Sequence, residues 1–363
     1  MAANSFGKIF RMTTWGESHG KSIGVVIDGC PAGLPLSIEE VNVALSLRAP
    51  GKSPYTSPRK EADEAVILSG VFEGKTTGAP ITILIPNRDA DSSKYEPIKD
   101  HLRPGHANYT YIKKYGVFDY RGGGRASARE TACRVAAGAV AKKLLEQYGI
   151  EIVAFVKQIG SIEAEIKDAG FDHLHAATYS SPVYCPDPEA SISMCKALDD
   201  ARAQGDSLGG VVEFLVPSIP AGLGDPVYEK LEAVLAFAMM SLPASKGFEI
   251  GSGFKSVSMI GSEHNDLFFI ENEQVRTSSN HAGGVLGGIS TGMPLVGRVA
   301  FKPASSILKP QDTLTLEGKE VVLQLPEGSR HDPCVAIRAV PVVEAMAALV
   351  LADALLLNRS VQL

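Results

Sequence analysis

Gly16-Glu17-Ser18-His19-Gly20, followed by Pro31-Ala32-Gly33-Leu34, is written a second time as Gly205-Asp206-Ser207-Leu208-Gly209 followed by Pro220-Ala221-Gly222-Leu223. A second pair keeps the same chain order: Gly70-Val71-Phe72-Glu73-Gly74-Lys75-Thr76-Thr77-Gly78-Ala79-Pro80-Ile81 against Gly284-Val285-Leu286-Gly287-Gly288-Ile289-Ser290-Thr291-Gly292-Met293-Pro294-Leu295. Glycine retained in both copies marks backbone that needs a positive φ or a close approach. The duplication predicts two similar halves, about 1–150 and 200–363, sharing one core in a single domain over 1–363. A histidine that becomes Leu208 in the other copy is not needed for the turn. His19 is therefore a candidate for chemistry.

Composition narrows the class. Of 363 residues, 45% are hydrophobic and 21% charged, as in an ordinary soluble globular enzyme. The net charge of -6 argues against general nucleic-acid binding, so any anion must be held by local arginine clusters. Five cysteines without a C-x-x-C pair fit reduced thiols in a cytosolic protein. The N-terminus has no secretory-signal pattern, and the apolar segment near Ala345–Leu357 is too short and too polar to span a bilayer. The expectation is a cytoplasmic protein with no membrane and no nucleic-acid partner.

Short β-branched runs at Ile23–Asp28 and Ile81–Pro86 read as buried strands, with counterparts at Val211–Val216 and Leu295–Phe301. Ser37 is placed to cap a helix over Ile38–Ser46, matched by Pro226–Met240 in the second half. An apolar stripe of Ala132, Val135, Ala136, Ala139, Val140 and Leu144 predicts a helix over Ser127–Gln147. Its counterpart is the C-terminal helix, with Pro341 in its first turn. Phe171–Ser193, within a connection of about 165–200, shows little periodicity and reads as an insertion or extended loop. These elements favour an α+β sandwich of sheets and helices.

Five segments carry candidate chemistry, three of them in the first half. Gly16–Gly20 matches the G-x-S-x-G pattern of a hydrolase elbow, but an apolar strand rather than a helix follows both copies, so the serine reads as a turn residue. His19 is either a general acid or a structural histidine. Arg103-Pro104-Gly105-His106-Ala107-Asn108 is a rigid turn that can aim His106, unless this is a surface histidine. Tyr120-Arg121-Gly122-Gly123-Gly124-Arg125-Ala126-Ser127-Ala128-Arg129-Glu130 places glycines and arginines before a helix, a natural anion site for phosphate or a phosphorylated cofactor. In the second half, Lys302-Pro303-Ala304-Ser305-Ser306 offers an ammonium and hydroxyls. Asp332, in Arg330-His331-Asp332-Pro333, is equally a base or a turn aspartate. No spacing suggests a protein-built metal centre.

Together these segments closely resemble the chorismate synthase family over essentially the whole chain. The signatures are Gly16–Gly20, Arg121–Thr131 and Arg330–Pro341, with family blocks at Arg103–Ala107, Lys246–Gly251 and Lys302–Ser306. The resemblance implies conversion of 5-enolpyruvylshikimate 3-phosphate to chorismate by 1,4-anti elimination of phosphate, the last common step toward aromatic compounds. It implies a requirement for reduced FMN without net redox change, a β-α-β sandwich fold and a homotetramer. By resemblance, His19 protonates the departing phosphate, and His106 stabilises or protonates the reduced flavin. Asp332 assists removal of the C6 hydrogen through flavin N5. Arg125, Ala126, Ser127, Pro243, Ala244, Gly287, Lys302, Pro303, Ala304, Ser305, Ser306 and Arg330 match flavin-contacting segments, and Arg48 and Arg129 are candidate substrate-anion partners.

Some positions depart from the family pattern. Pro54 replaces a common arginine, which weakens NADPH binding there and leaves Arg48 without its usual partner. Asn108 replaces a common aspartate beside His106, so the ordering of that ring relies on a neutral hydrogen bond. Pro243 stands where asparagine is common in a flavin-facing loop. With no recognisable nicotinamide domain, an external reductant for the flavin is expected.

Overall fold

The computed structural model describes residues 3–51, 53–57, 63–89, 92–166, 170–326 and 331–361. The first half contributes strands β1 (Ser5–Phe6), β2 (Arg11–Gly16), β3 (Ser22–Asp28), β4 (Val66–Ser69), β5 (Val71–Phe72), β6 (Lys75–Thr76) and β7 (Ile81–Pro86). Its helices are α1 (Ile38–Arg48), α2 (Asn108–Tyr115) and α3 (Thr131–Glu146). The second half begins with β8 (Val153–Ile159) and β9 (Ile162–Glu163), then α4 (Phe171–Ser180), α5 (Pro188–Ala203), β10 (Gly210–Val216), α6 (Leu231–Met240) and β11 (Ser245–Ile250). It continues through α7 (Gly261–His264), β12 (Phe268–Glu271), β13 (Gln274–Thr277), β14 (Val285–Leu286), β15 (Ile289–Ser290), β16 (Leu295–Phe301), β17 (Gln311–Leu314), β18 (Glu320–Leu323) and α8 (Val335–Asn358).

The repeat is legible in the topology. One antiparallel sheet runs β1-β2-β3-β7-β4 and the other β9-β8-β10-β16-β11, so equivalent strands hold equivalent places. The repeated turns also share hydrogen bonds. Thr76 Oγ1 donates to Pro31 O at 2.6 Å and accepts from Leu34 N at 3.0 Å. Ser290 Oγ donates to Pro220 O at 2.6 Å and accepts from Leu223 N at 2.9 Å. The duplicated glycines thus frame a duplicated backbone joint.

Alternation along β7, β10 and β16 buries one face of each sheet against helices. Helix α3 lies on the first sheet and α8 on the second, and the two helices pack on each other. Enclosure from several sides explains why burial on α3 exceeds the predicted stripe, taking in Cys133, Ala137, Gly138, Ala141 and Leu145. Helix α8 is the one described helix long and apolar enough to cross a membrane, and it is buried in this core. Each of its charged side chains has a structural partner. Asp353 accepts from the backbone N–H groups of Lys8, Ile9 and Phe10, Glu344 pairs with Lys142 and Ala154 N, and Arg338 donates to Asp332 at 2.9 Å.

Several expectations are corrected. Phe171–Ser193 is not an extended loop: α4 and α5 form there, and Asp187 caps α5 with Pro188 in its first turn. Both helices lie between β8 and β10, where the first half has only the β2–β3 turn, so they are inserted relative to the repeat. Pro341 lies inside α8, because that helix already begins at Val335. Helix α6 starts at Leu231, five residues after Pro226. Ser37 does cap α1, in a reciprocal arrangement with Glu40.

At the α3–α8 crossing, a Cβ on Gly138 would stand 2.6 Å from Ala345 Cα. Gly138→Val should therefore lower unfolding stability by about 1–3 kcal/mol. Gly261→Ala, whose Cβ meets nothing within 4 Å, should not. Urea unfolding of the two variants checks this, and equal midpoints would refute the close-packing argument.

Candidate active site

His19 sits on the turn between β2 and β3. Asn87, just past β7, shapes that turn by donating to Glu17 O at 3.0 Å and Gly20 O at 2.8 Å. The imidazole Nδ1 meets Ser92 Oγ at 2.9 Å, and the ring packs edge-on against Tyr95 with centroids 5.4 Å apart. The edge carrying Cδ2 and Nε2 rests on Gly122, where any Cβ would collide with it. On the next residue of the same loop, a Cβ at Gly123 would stand 3.3 Å from His106. The glycine run is thus the gap between two histidines brought from distant parts of the chain.

His106 is held by its turn. The Asn108 side chain accepts from Arg103 N at 3.2 Å and donates to His101 O at 2.8 Å, bracing the backbone of the turn rather than His106 Nδ1. His106 Nδ1 is buried with no hydrogen-bond partner among the described residues. Burial, reinforced by Arg103, Lys302 and His331, pushes its pKa down to about 3, so the ring is neutral near pH 7. The second half closes over this turn. Lys302 Nζ donates to Gly105 O at 3.2 Å, and Arg103 donates to Ser306 Oγ at 2.7 Å. Ser207 Oγ donates to Ala304 O at 2.7 Å, a turn role that Ser18 lacks: its buried hydroxyl has no described partner, and His19 engages Ser92 instead. Among the described residues, Ser18 Oγ makes no hydrogen bond to a histidine of the hydrolase kind.

The expected anion site is built differently from its sequence reading. The glycine loop enters two 3-10 turns, Gly124–Ala126 and Ala128–Glu130, before α3 begins. Ser127 caps the second turn through Arg129 N, and Ala126 N and Ser127 N bond within the loop. Side chains supply the charge. Arg125 is pinned along β2, donating to Gly16 O at 3.0 Å and Thr14 Oγ1 at 2.8 Å. Arg48 and Arg129 each take one oxygen of Asp63, whose backbone holds a positive φ of 50°. Burial opposes ionisation of Asp63, but the two guanidinium groups outweigh it and hold the carboxyl below its usual range. Burial likewise pushes Arg48 down to about 10, against the pull of Asp63. Asp63, not residue 54, partners Arg48; Pro54 O accepts instead from Arg202 of α5.

Asp332 accepts from Ser57 N at 2.7 Å and from Arg338 at 2.9 Å. Beside it, His331 is pushed down to about 4 by burial and Arg103, despite the adjacent Asp332. His19, His106, His331 and Asp332 all line one cavity of about 670 Å3. Six arginines and Lys302 line it as well, against two carboxylates, Glu130 and Asp332. This excess of cations in a chain of net charge -6 suits a ligand set with several negative charges. Ala126, Ser127, Pro243, Ala244, Ala304, Ser305 and Ser306 also line the cavity. Pro303 packs on Gly209, and Gly287 turns the β14–β15 hairpin, both outside the lining; Arg330 lies outside the described residues. Sequence reasoning missed Asp63, Asn87, His331 and Arg338. Of these, His331 and Arg338 had a signal, since both fall in the Arg330–Pro341 segment.

The model of the chorismate synthase family matches residues 10–356. This chain belongs to the chorismate synthase family. A chorismate synthase of Protochlamydia amoebophila is 58% identical, with all of both chains covered. One from Methanosarcina mazei is 53% identical over 98% of this chain and 97% of its own. A crystal structure of a chorismate synthase superposes with a TM-score of 0.78 at 37% identity, covering 98% of this chain and 94% of the other. The chain is accordingly a lyase.

Gly122 and Gly124 both have positive φ, yet only a Cβ at Gly122 meets His19. Backbone strain being common to both, Gly122→Ala should lower kcat/KM at least about tenfold more than Gly124→Ala, the order expected when a catalytic group is displaced. Equal losses would sink the spacing argument. In the ligand-free protein, unfolded histidines take up protons near pH 6.5, whereas folded His106 and His331 resist until about 3 and 4. Stability is thus greatest above that range and falls as pH drops from about 6.5, by up to about 1.4 kcal/mol per pH unit for each ring. Urea midpoints between pH 7 and 5 should fall less steeply in His106→Gln and His331→Gln; unchanged slopes would count against buried neutral rings.

Proposed function

We propose that this lyase eliminates phosphate from 5-enolpyruvylshikimate 3-phosphate to give chorismate, a 1,4-anti elimination that serves the shikimate pathway and requires reduced FMN. The observation carrying this reading is the convergence of His19, His106 and Asp332 on one cation-lined cavity. The same residues fit the flavin. His106 presents a buried, unpartnered Nδ1, the glycine loop allows close approach, and Lys302 with Ser305 and Ser306 offers donors. Ala126, Ser127, Pro243 and Ala244 would complete its walls, while Arg125 keeps the loop against β2. When bound, reduced FMN supplies the electron density that lets a poor leaving group depart without net oxidation.

The chain's own residues divide the remaining work. Arg48 and Arg129, braced by Asp63, hold substrate anions in fixed directions. His19, with Nδ1 engaged by Ser92, offers Nε2 as the atom that delivers a proton to the departing phosphate oxygen. His106 is an uncharged imidazole with one N–H and one lone pair, suited to orienting and hydrogen-bonding the cofactor. Asp332, steadied by Ser57 and Arg338, assists removal of the C6 hydrogen.

The same reading has the two halves form one domain of β-α-β sandwich type, assembled as a cytoplasmic homotetramer, with the flavin reduced by an external reductant. Under anaerobic conditions with reduced FMN, the protein should release phosphate and chorismate in equal amounts. His19→Ala, His106→Ala and Asp332→Asn should each lower kcat about 10²–10⁴-fold with the fold retained by circular dichroism. Ser18→Ala should keep turnover. No product from folded, flavin-loaded protein would overturn the proposal.

A further inference from the structure

We propose that Ser57 is a substrate-binding residue whose hydroxyl donates to an anionic oxygen of the substrate beside Asp332; this rests on the lyase reading above. Ser57 is only 3% exposed and lines the cavity, yet its Oγ has no hydrogen-bond partner among the described residues. A buried hydroxyl left unpaired is costly, so such a group in a ligand cavity points to the ligand. Its surroundings set the polarity. Arg48, Arg129 and Arg338 line the same cavity, where a negatively charged oxygen is the favoured occupant and a hydroxyl meets it as donor.

The residue is also held in place from both sides. Its backbone N–H is bound to Asp332 Oδ1 at 2.7 Å. Upstream, Tyr55 Oη donates to Asp199 of α5 at 3.0 Å, and the Arg202 guanidinium sits 5.7 Å from the Tyr55 ring. Ser53 Oγ donates to Pro182 O at 2.5 Å, and Thr56 Oγ1 donates to Ser53 O at 2.9 Å. The inserted helices therefore anchor the segment that carries this hydroxyl to the proposed base. They extend the site into a part of the fold that has no counterpart in the first repeat.

Ser57→Ala removes the hydroxyl and keeps the backbone N–H on Asp332. With the flavin oxidised, so that no turnover occurs, calorimetry should show the dissociation constant for 5-enolpyruvylshikimate 3-phosphate rising about tenfold, with FMN affinity unchanged. With reduced FMN, KM should rise similarly while kcat stays within about twofold, and Ser57→Thr should restore both constants. Unchanged substrate affinity, or a loss of FMN affinity in its place, would overturn the assignment. Failure of wild-type protein to form chorismate would instead count against the lyase reading, because the substrate titration does not depend on turnover.

Discussion

The approach of α3 to α8 at Gly138 and Ala345 sets the spacing of everything else. Each helix backs one sheet, so the distance between helices is also the distance between sheets. Small residues along α3 (Ala132, Ala136, Ala137, Gly138, Ala141) allow that distance to be short. The two halves then exchange arginines across the contact. Arg134 of α3 donates to Ser241 at the end of α6, and Arg338 of α8 donates to Arg48 O at the end of α1. Each central helix thereby satisfies the carbonyl end of the other half's outer helix, where a cation is favoured by the helix dipole. The cavity opens along this seam, so neither half contains it alone.

The site is assembled at some cost to the fold. It gathers neutral buried histidines, an unpaired imidazole nitrogen and more guanidinium groups than carboxylates. Asp63 relieves the worst of the repulsion by standing between Arg48 and Arg129, and its own carboxylate is tolerated in the interior only because both are present. Anionic ligands that bind the folded form alone would offset the rest.

The sequence was most informative where a pattern is local or repeated. The duplicated glycine turns, the four principal strands and the Ser37 cap are encoded over a few residues each, and the structure bears them out. The inserted helices were not legible, because Phe171–Ser180 mixes histidine, tyrosine and serine into a segment whose helix is supported by packing on β8. The start of α8 was missed for a related reason: Pro341 looks like a first-turn residue until the preceding Val335–Val340 is also seen to be buried on most sides. At the site, the histidines and the glycine loop stood out as residue types, but their meeting is a tertiary fact. Asp63 gave no local signal, since its meaning lies in two arginines that are distant in sequence, 15 and 66 residues away.

The placement of α8 has a consequence for synthesis. It follows every other element in chain order, yet α3 needs it as a packing partner and the second sheet needs it as a cover. The first repeat is complete in sequence by Glu146, but must wait through roughly 190 further residues for its missing surface. At about 5–20 residues per second, that interval is on the order of 10–40 s. During it the nascent chain carries an apolar helix face and a one-sided sheet with no permanent partner. The duplication that makes this core so economical also obliges the first copy to be sheltered until the second is finished.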